Sequence, residues 1–416
     1  MRLTDEEQAM LAGAFGPGVQ QAMEIVTALG TIYGAQDLVP VTSVQVAGVS
    51  YKNLGEAGLE FLAGWAAAGA KVRVTTTLNP AGLDIEQWSE LGFPVDFAEK
   101  QMRVLQAFAD MGVQTTCTCT PYLVDNLPAF GEHVAWAESS AVSFANSVLG
   151  ARTNREGGPS ALAAAITGRT ARFGLHLSEQ RRAQLIVEVH CPVRSNADLG
   201  ALGLIVGQLA RNQVPYLRGL EWLPPISLDP PSSSLDCLKI LGASMAASGA
   251  VALYHVEGVT PESGQPDIIV PGARVVRVED LEPGYAALDR AEDDRIDLVW
   301  IGCPHASLAE LAMVIDLLAG RRVRTALWVT MARQRRVEAA ATGLVQALEA
   351  LGGQVIAVTC LVVAAVRQLG FRSMATPSGK GAYYAPSHSG LSVHYGSLET
   401  CIEAAVTGRW PADSGV

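Results

Sequence analysis

The sequence has 416 residues, of which 49% are hydrophobic and 17% charged, and its formal net charge at pH 7 is -11. This composition provides more apolar material than one simple domain buries, so we expect two or more lobes. The negative charge argues against general binding to nucleic acid or to an anionic membrane, since both attract cationic surfaces, and it favours a small-molecule partner.

Neither the start of the chain nor its apolar runs match a targeting segment. Residues 1–10, MRLTDEEQAM, lack the apolar core of a signal peptide, and the longest apolar run, VIAVTCLVVAAV, is too short to span a bilayer comfortably. We therefore expect a soluble cytoplasmic protein. The seven cysteines are an odd number dispersed through a large chain, which favours reduced thiols or metal ligands over a disulfide framework.

The chain begins with a predicted helix, in which Thr4 and Glu7 form a capping-box pattern. Short β-branched runs then alternate with helical runs rich in alanine and leucine: VQVAGVSY, AGLEFLAGWAAAGA, KVRVTTTLN, DFAEKQMRVLQAFADMG and VQTTCTC. A second series of strands follows in VALYHV, DLVWIGCP, RTALWVT and QVIAVTCLVV. Strands that alternate with helices predict an α/β fold with parallel sheets.

The best internal boundary is the passage LPPISLDPPSSSLD at residues 223–236. Its prolines lack backbone donors and disfavour the continuation of a helix. The sequence therefore predicts two α/β lobes, over residues 1–225 and 226–416.

Cysteines stand at the ends of three predicted strands. Cys117 and Cys119 close VQTTCTC, Cys303 follows DLVWIG, and Cys360 ends QVIAVT. Because ligands gather at the carboxyl ends of strands in open α/β sheets, these thiols can converge on one site. Three sulfur ligands suit an iron–sulfur cluster with one iron left open, or a mononuclear metal, whereas free cysteines can also simply fill the core. The other three cysteines have no such setting and are interpreted as core residues.

Two further sets of polar residues are candidates for chemistry. Three histidines occupy polar, loop-like contexts, and His305, which lies two residues after a strand-end cysteine, is the best candidate among them for a proton shuttle or a ligand. The stretch GARTNREGGPS places Asn154, Arg155 and Glu156 between two apolar segments. Arg155 can form a bidentate pair with a carboxylate or phosphate, and Glu156 can hold the arginine or exchange protons. The alternative is a solvated turn that caps the next helix.

Long blocks of the chain resemble the aconitase X family. They include CTCTPYLV, GEHVAWAESSAVSFANSVLGARTNREGGPSALAAAITG, SMAASGAVALYHVEGVTPE, IGCPHASLAEL, TCLVV and YYAPSHSGLSVHYGSLETCIEAAVTGRW, with GVSYKNLGEAGLEFL and TTLNPAGLD near the start. The match covers nearly the whole chain and corresponds to the catalytic, large-subunit portion of the family. The resemblance implies an aconitase-like, multi-lobed, three-layer α/β fold and a hydro-lyase activity.

The resemblance also implies an iron centre, either a [4Fe-4S] or [2Fe-2S] cluster or mononuclear iron, held by Cys119, Cys303 and Cys360. Cys117 is then a spare thiol. In the aconitase type the catalytic base is a serine on a small swivelling domain, which aconitase X members carry either fused or as a separate small subunit. No such domain is found in this sequence, so the expected partner is a small subunit that carries the swivelling domain and the catalytic serine.

We expect roles at the site for the remaining candidates. Catalytic roles fall on Arg155, Glu156 and His305, and Arg155 is expected to meet the anionic group of a small substrate. The residues expected to contact the substrate are Ser50, Tyr51, Lys52, Asn154, Arg155, Ser378 and Lys380.

Family members of known activity dehydrate cis-3-hydroxy-L-proline, mostly in bacteria, or mevalonate 5-phosphate, mostly in archaea. The leading hypothesis is dehydration of cis-3-hydroxy-L-proline to pyrroline-2-carboxylate, because a chain rich in alanine and arginine and poor in lysine is typical of GC-rich bacteria. The alternatives are dehydration of mevalonate 5-phosphate, which needs more basic groups than Arg155 alone, and a non-catalytic iron-binding homologue. The chain departs from the family's pattern at Gln45, Met331 and Pro377, none of which is a proposed iron ligand.

Overall fold

The structure is a computed structural model that describes residues 1–229 and 231–412. Its helices are α1 (Asp5–Leu11), α2 (Pro17–Ile32), α3 (Tyr51–Ala67), α4 (Val95–Asp110), α5 (Ser139–Phe144), α6 (Gly158–Thr167), α7 (Asn196–Ala210), α8 (Ser234–Gly249), α9 (Glu282–Leu288), α10 (Leu308–Leu318), α11 (Arg333–Ala341), α12 (Leu344–Ala350), α13 (Gly379–Ser389) and α14 (Leu398–Thr407). Its strands are β1 (Leu38–Pro40), β2 (Ser43–Val46), β3 (Thr75–Leu78), β4 (Ala135–Trp136), β5 (Arg169–Ala171), β6 (Ala183–Val189), β7 (Pro215–Arg218), β8 (His255–Val256), β9 (Ile269–Val278), β10 (Leu298–Ile301), β11 (Ala326–Met331), β12 (Gln354–Ala357), β13 (Ser373–Thr376) and β14 (Ser392–Tyr395). Within these described residues, no helix is both long and apolar enough to cross a membrane.

Parallel sheets form the framework of the molecule. Strands β3, β2 and β4 make a three-stranded parallel sheet, and β8, β7, β6 and β9 make a four-stranded one. The largest sheet is also parallel and has the order β12, β11, β10, β13 and β14. A short antiparallel pair joins β1 to β5. The predicted α/β class with parallel sheets is therefore confirmed.

The largest sheet is covered by helices on both faces. In β10, whose four residues LVWI are all buried, Val299 and Ile301 share a core with apolar side chains of α10, α12 and α14. Leu298 and Trp300 belong to a different core on the other face. A strand covered on both faces needs apolar side chains at every position, which explains its continuous apolar run and gives the three-layer arrangement.

The four-stranded sheet shares its core with α7 and α8, which approach each other closely. A Cβ atom at Gly207 would stand 2.1 Å from the Ser248 hydroxyl oxygen, and one at Gly203 would stand 2.7 Å from the carbonyl oxygen of Leu241. Only glycine permits this backbone approach. The glycines of α7 therefore set the distance between the two helices.

One predicted strand, VQTTCTC, is wrong. In this segment only Gln114 forms a bridge, with Thr77, and Cys117 adopts a φ of 47°, which interrupts extended geometry. The segment nevertheless runs beside the end of β3, because the backbone N–H of Thr118 donates to the carbonyl oxygen of Leu78 at 2.8 Å. The following thiol therefore still lies at the carboxyl end of a parallel strand.

The division into lobes over residues 1–225 and 226–416 stays a prediction. The Pro/Ser-rich passage on which it depends begins after β7, and its last three residues, 234–236, form the start of α8. The four-stranded sheet draws β6 and β7 from one side of that passage and β8 and β9 from the other.

Candidate active site

Three of the seven cysteines line one cavity. Cys303 follows β10, Cys360 follows β12, and Cys119 lies beyond the end of β3. The cavity has a volume of about 290 Å³ and lies at the carboxyl ends of these strands, where parallel sheets bind their ligands. The fold thus brings together the three thiols that the sequence proposed as iron ligands.

The backbone turns sharply just before each of these thiols. Cys117, Gly302 and Val358 have φ values of 47°, 101° and 56°. A positive φ at a β-branched residue such as Val358 is rare, and backbone strain of this kind concentrates at functional sites. At Gly302 a side chain is excluded, because a Cβ atom would stand 2.2 Å from the carbonyl oxygen of Thr330. Each thiol therefore lies one or two residues after a backbone conformation that interrupts extended geometry.

Burial controls the protonation of the three thiols. It raises the pKa of Cys303 to about 12, the pKa of Cys119 well above its ordinary value, and the pKa of Cys360 as well. The positive charge of Lys380 opposes this effect at all three, because it favours the thiolate form. The thiols are therefore neutral until a metal displaces their protons.

The three thiols are suitable donors for an iron–sulfur cluster. Thiolates are soft donors that bind iron–sulfur clusters. Across residues 1–229 and 231–412, no group of three or more His, Cys, Asp or Glu side chains is placed to hold one metal ion. In a cluster, each cysteine can bind a different iron, so the thiolates surround a wider space than the ligands of a single ion do. Three thiols that line one cavity are the donor type that such a cluster takes.

A buried ion pair lies in the same cavity. Lys380 Nζ donates to the Glu138 carboxylate, and the two side chains are 11% and 6% exposed. Glu138 also accepts from the Ser140 hydroxyl at 2.6 Å and from the N–H of Ala141 at 2.7 Å, at the start of α5. Burial opposes the charge on Glu138, but Lys380 and these hydrogen bonds hold its pKa below the usual range. Burial likewise opposes the ammonium, but Glu138 and the nearby thiols raise the pKa of Lys380, so both groups are charged.

His305 lines the cavity and is held by the chain at both ring nitrogens. Its Nε2 lies 3.0 Å from the carbonyl oxygen of Thr359, and its Nδ1 lies 2.9 Å from the Thr118 hydroxyl. Because a carbonyl only accepts, Nε2 carries the proton and Nδ1 accepts from the hydroxyl. Burial lowers the pKa of His305 to about 4, so the ring is neutral. Its backbone N–H donates to Cys119 Sγ at 3.2 Å, which links it to one thiol, while its catalytic role stays a prediction.

The three polar side chains of residues 154–156 do not share one environment in the fold. Arg155 is exposed and lines the cavity, and no hydrogen bond or ion pair among the described residues occupies its guanidinium. Asn154 donates to one backbone carbonyl at 3.1 Å and accepts from one backbone N–H at 2.9 Å. Glu156 accepts from two hydroxyl groups at 2.6 and 3.1 Å, and burial raises its pKa. Of the three, only Arg155 is among the residues that line the cavity.

Only some of the predicted substrate-binding residues line the cavity. Those that line the cavity are Ser50, Arg155 and Lys380. Those that lie elsewhere are Tyr51, Lys52, Asn154 and Ser378. The Ser378 hydroxyl donates to the backbone carbonyl oxygen of Cys303. It also caps the start of α13. Tyr51 and Lys52 line a neighbouring cavity of about 590 Å³.

Sequence reasoning missed two polar residues that line the cavity, Glu138 and Asn79. Glu138 lies in VAWAESSAVSF, where a single acid among apolar residues signals a buried charge that needs a partner. Asn79 follows β3 and lines the cavity, and its Oδ1 is buried with no hydrogen-bond partner among the described residues, so it can bind a group that enters. Gln45 Nε2 donates to the carbonyl oxygen of Thr118 at 2.9 Å and so holds the segment that leads to Cys119.

A parallel α/β framework whose strand ends bring three thiols into one cavity defines the class of aconitase-like α/β proteins. Models of the first, second and third domains of aconitase X match residues 1–179, 183–290 and 296–407. The chain belongs to the aconitase X family.

Relatives support this assignment over nearly the whole chain. A phosphomevalonate dehydratase large subunit of Methanothermobacter thermautotrophicus is 48% identical over 390 residues, which cover 94% of this chain and 95% of that one. A cis-3-hydroxy-L-proline dehydratase of Pseudomonas aeruginosa is 38% identical over 430 residues, which cover 99% of this chain and 71% of that one. The crystal structure of Thermococcus kodakaraensis aconitase X in its holo-form has a TM-score of 0.88 at 47% identity, covering 97% of this chain and 100% of that one. Both named relatives are dehydratases, and this chain is a hydro-lyase.

Proposed function

We propose that this chain is the large subunit of an iron–sulfur dehydratase that removes water from mevalonate 5-phosphate. The observation that carries the dehydratase assignment is the cavity in which Cys119, Cys303 and Cys360 lie together with Arg155, which has no partner among the described residues. The choice of substrate rests on the relatives. The chain matches four phosphomevalonate dehydratase large subunits at 42–48% identity and a fifth at 35%, each over nearly its whole length. It spans only 71% of the 38% identical hydroxyproline dehydratase.

The cavity residues then take distinct roles. The three cysteines hold the cluster, which supplies, when bound, an open iron as Lewis acid for the hydroxyl group that leaves the substrate. Arg155 binds an anionic group of the substrate, because its guanidinium is exposed to the cavity and can form a bidentate pair. Lys380 stays protonated, and its charge favours both the thiolates and an anionic substrate.

A small subunit is proposed to supply the base. Glu138 is already ion-paired with Lys380, and both ring nitrogens of His305 are hydrogen-bonded, so neither is poised to take a proton from the substrate. We assign that step to a serine of the small subunit, which completes the cavity. Several relatives of similar length are named large subunits, which supports such a partner.

The charge of the cavity favours cis-3-hydroxy-L-proline as the second candidate substrate. Among the described cations near the cavity, Lys380 is paired with Glu138, and Lys52 donates to three backbone carbonyls. Arg152 is turned toward the Ser178 hydroxyl and a backbone carbonyl. Arg155 alone among these lacks a partner, which suits one carboxylate better than a carboxylate plus a phosphate. Under the leading proposal, the small subunit must therefore supply further positive charge.

Anaerobic co-expression with the small subunit, followed by assays of both substrates for loss of water, tests the proposal. We expect dehydration of mevalonate 5-phosphate and none from the large subunit alone. Dehydration of cis-3-hydroxy-L-proline to pyrroline-2-carboxylate instead would establish the second candidate. Bound iron without activity on either substrate would contradict both and favour the non-catalytic iron-binding homologue. The variant Cys303→Ser serves as the control for cluster-dependent turnover.

A further inference from the structure

The segment that follows the third thiol is held by side chains from distant parts of the chain. We call residues 360–364 the Cys360 loop. Lys52, at the start of α3, reaches this loop, and its Nζ donates to the carbonyl oxygens of Val362 at 3.5 Å and Ala364 at 3.2 Å. A third contact joins it to the carbonyl oxygen of His388 at 2.8 Å, near the end of α13. An ammonium group has three donors, so these contacts use all of them.

Two serines bind further carbonyls of the Cys360 loop. The Ser50 hydroxyl donates to the carbonyl oxygen of Val363 at 2.9 Å. The Ser389 hydroxyl lies 2.9 Å from the carbonyl oxygen of Leu361 and 3.3 Å from that of Val362. Four successive carbonyl groups, from residue 361 to residue 364, therefore accept hydrogen bonds from side chains.

This loop needs such support because regular secondary structure does not hold it. The preceding strand β12 ends at residue 357, and Val358 then adopts the strained φ of 56°. A short stretch of irregular backbone opens locally at low free energy unless its polar groups are bound. Val362 and Val363 also line the catalytic cavity, so movement of the loop would shift both the thiol and the cavity wall.

We propose that Lys52 is a positioning residue for the iron centre, and that with Ser50 and Ser389 it holds the Cys360 thiol in place relative to the other two thiols. The role differs from the substrate contact predicted for Ser50 and Lys52 from the sequence. The ammonium of Lys52 has no donor left for a substrate, and its contacts are all to backbone carbonyls. The inference rests on the proposed function only in naming iron as the group that the thiols bind.

The first test uses metal-free protein and therefore needs no cluster. The variant Lys52→Met keeps the length of the side chain but removes its donors, whereas Lys52→Arg retains charge and donors and should restore the contact. Lys71→Met is a matched control, because the exposed Lys71 also donates to a backbone carbonyl, that of Asp110 at the end of α4. The rate of Cys360 alkylation by iodoacetamide, relative to Cys303, is measured by peptide mass spectrometry.

We expect Lys52→Met to raise the relative alkylation rate of Cys360 on the order of tenfold, with Lys52→Arg and Lys71→Met close to the wild type. Ser389→Ala removes a contact to the loop without removing a positive charge near the thiol, so it should also raise the rate, to a smaller extent. An unchanged rate in both Lys52→Met and Ser389→Ala would overturn the inference. If Lys52→Met does not fold, as judged by its melting curve, Ser389→Ala alone decides the test.

The second test measures iron loss to a chelator after anaerobic reconstitution. Lys52→Met should lose iron on the order of tenfold faster than the wild type, with rescue by Lys52→Arg. An increase in substrate KM with unchanged iron loss and unchanged alkylation would instead assign Lys52 to substrate binding and overturn the positioning role. A wild-type chain that holds no iron would contradict the proposed function, and the alkylation comparison would still decide the inference.

Discussion

Glu138 and Lys380 are expected to depend on each other for stability. Their side chains are 6% and 11% exposed and form an ion pair in the cavity. The variant Lys380→Met leaves a carboxylate buried without its cation, and Glu138→Gln leaves an ammonium buried without its anion. The double variant removes both charges, so no unpaired charge remains.

The expected size of the effect follows from burial. Breaking a buried pair by removing one partner costs about 3–5 kcal/mol, and at this low exposure solvent screens the pair very little. With an unfolding entropy of about 2.1 cal/mol/K per residue, a chain of 416 residues loses about 3–6 °C in melting temperature for each single variant if it unfolds in one transition. The double variant should melt no lower than either single variant. Its loss in melting temperature should therefore be far smaller than the sum of the two single losses.

Calorimetric melting of the metal-free wild type and the three variants measures this coupling. The double variant should also remain inactive after reconstitution, because it lacks the ammonium that favours thiolates and an anionic substrate. That result would separate the stabilising role of the pair from its role in the cavity. Losses in the double variant equal to the sum of the single losses would refute the reasoning, since they would show that the two side chains do not interact.

Three further predictions concern the thiols, the arginine and a distant histidine. Cys303→Ser should abolish iron binding, whereas Cys401→Ser, at a buried thiol outside the cavity, should retain it, as measured by iron content per chain. Arg155→Ala should raise the substrate dissociation constant by ~10–100-fold, with Arg152→Ala nearly unchanged, and equal effects would contradict the assignment of Arg155. Burial opposes protonation of His394, but its hydrogen-bonded carboxylate partner raises the pKa above the usual value. The contact therefore stabilises the fold fully below about pH 6.5, the pKa of a free histidine. This stabilisation is lost as the pH rises through the pKa of the folded state. The melting temperature of His394→Asn should therefore decline less steeply than that of the wild type across about pH 6–8. The same decline in both proteins would show that this contact does not cause it.

The fold class and the thiol positions could be predicted because both depend on local patterns. The alternation of strands and helices predicts parallel sheets, and a thiol that follows a parallel strand lies at the edge where the other strands also end. The capping box at Thr4 formed as predicted, since it depends on two residues three positions apart. The failure at VQTTCTC has the opposite cause. Its alternating pattern is typical of a strand, but that pattern does not predict the positive φ at Cys117.

The rest of the site depends on contacts between segments that are far apart in the chain. Glu138 and Lys380 are separated by 242 positions, and Lys52 and Ala364 by 312. A motif such as GVSYK can contact a substrate, or it can hold the loop that carries a metal ligand. The amino-acid sequence is the same in both cases. Only the partners of the side chain distinguish them. Lys52 donates to two carbonyl groups within the Cys360 loop and to a third near the end of α13. The structure therefore favours the second case, and the chemical reactivity of one thiol is enough to test it.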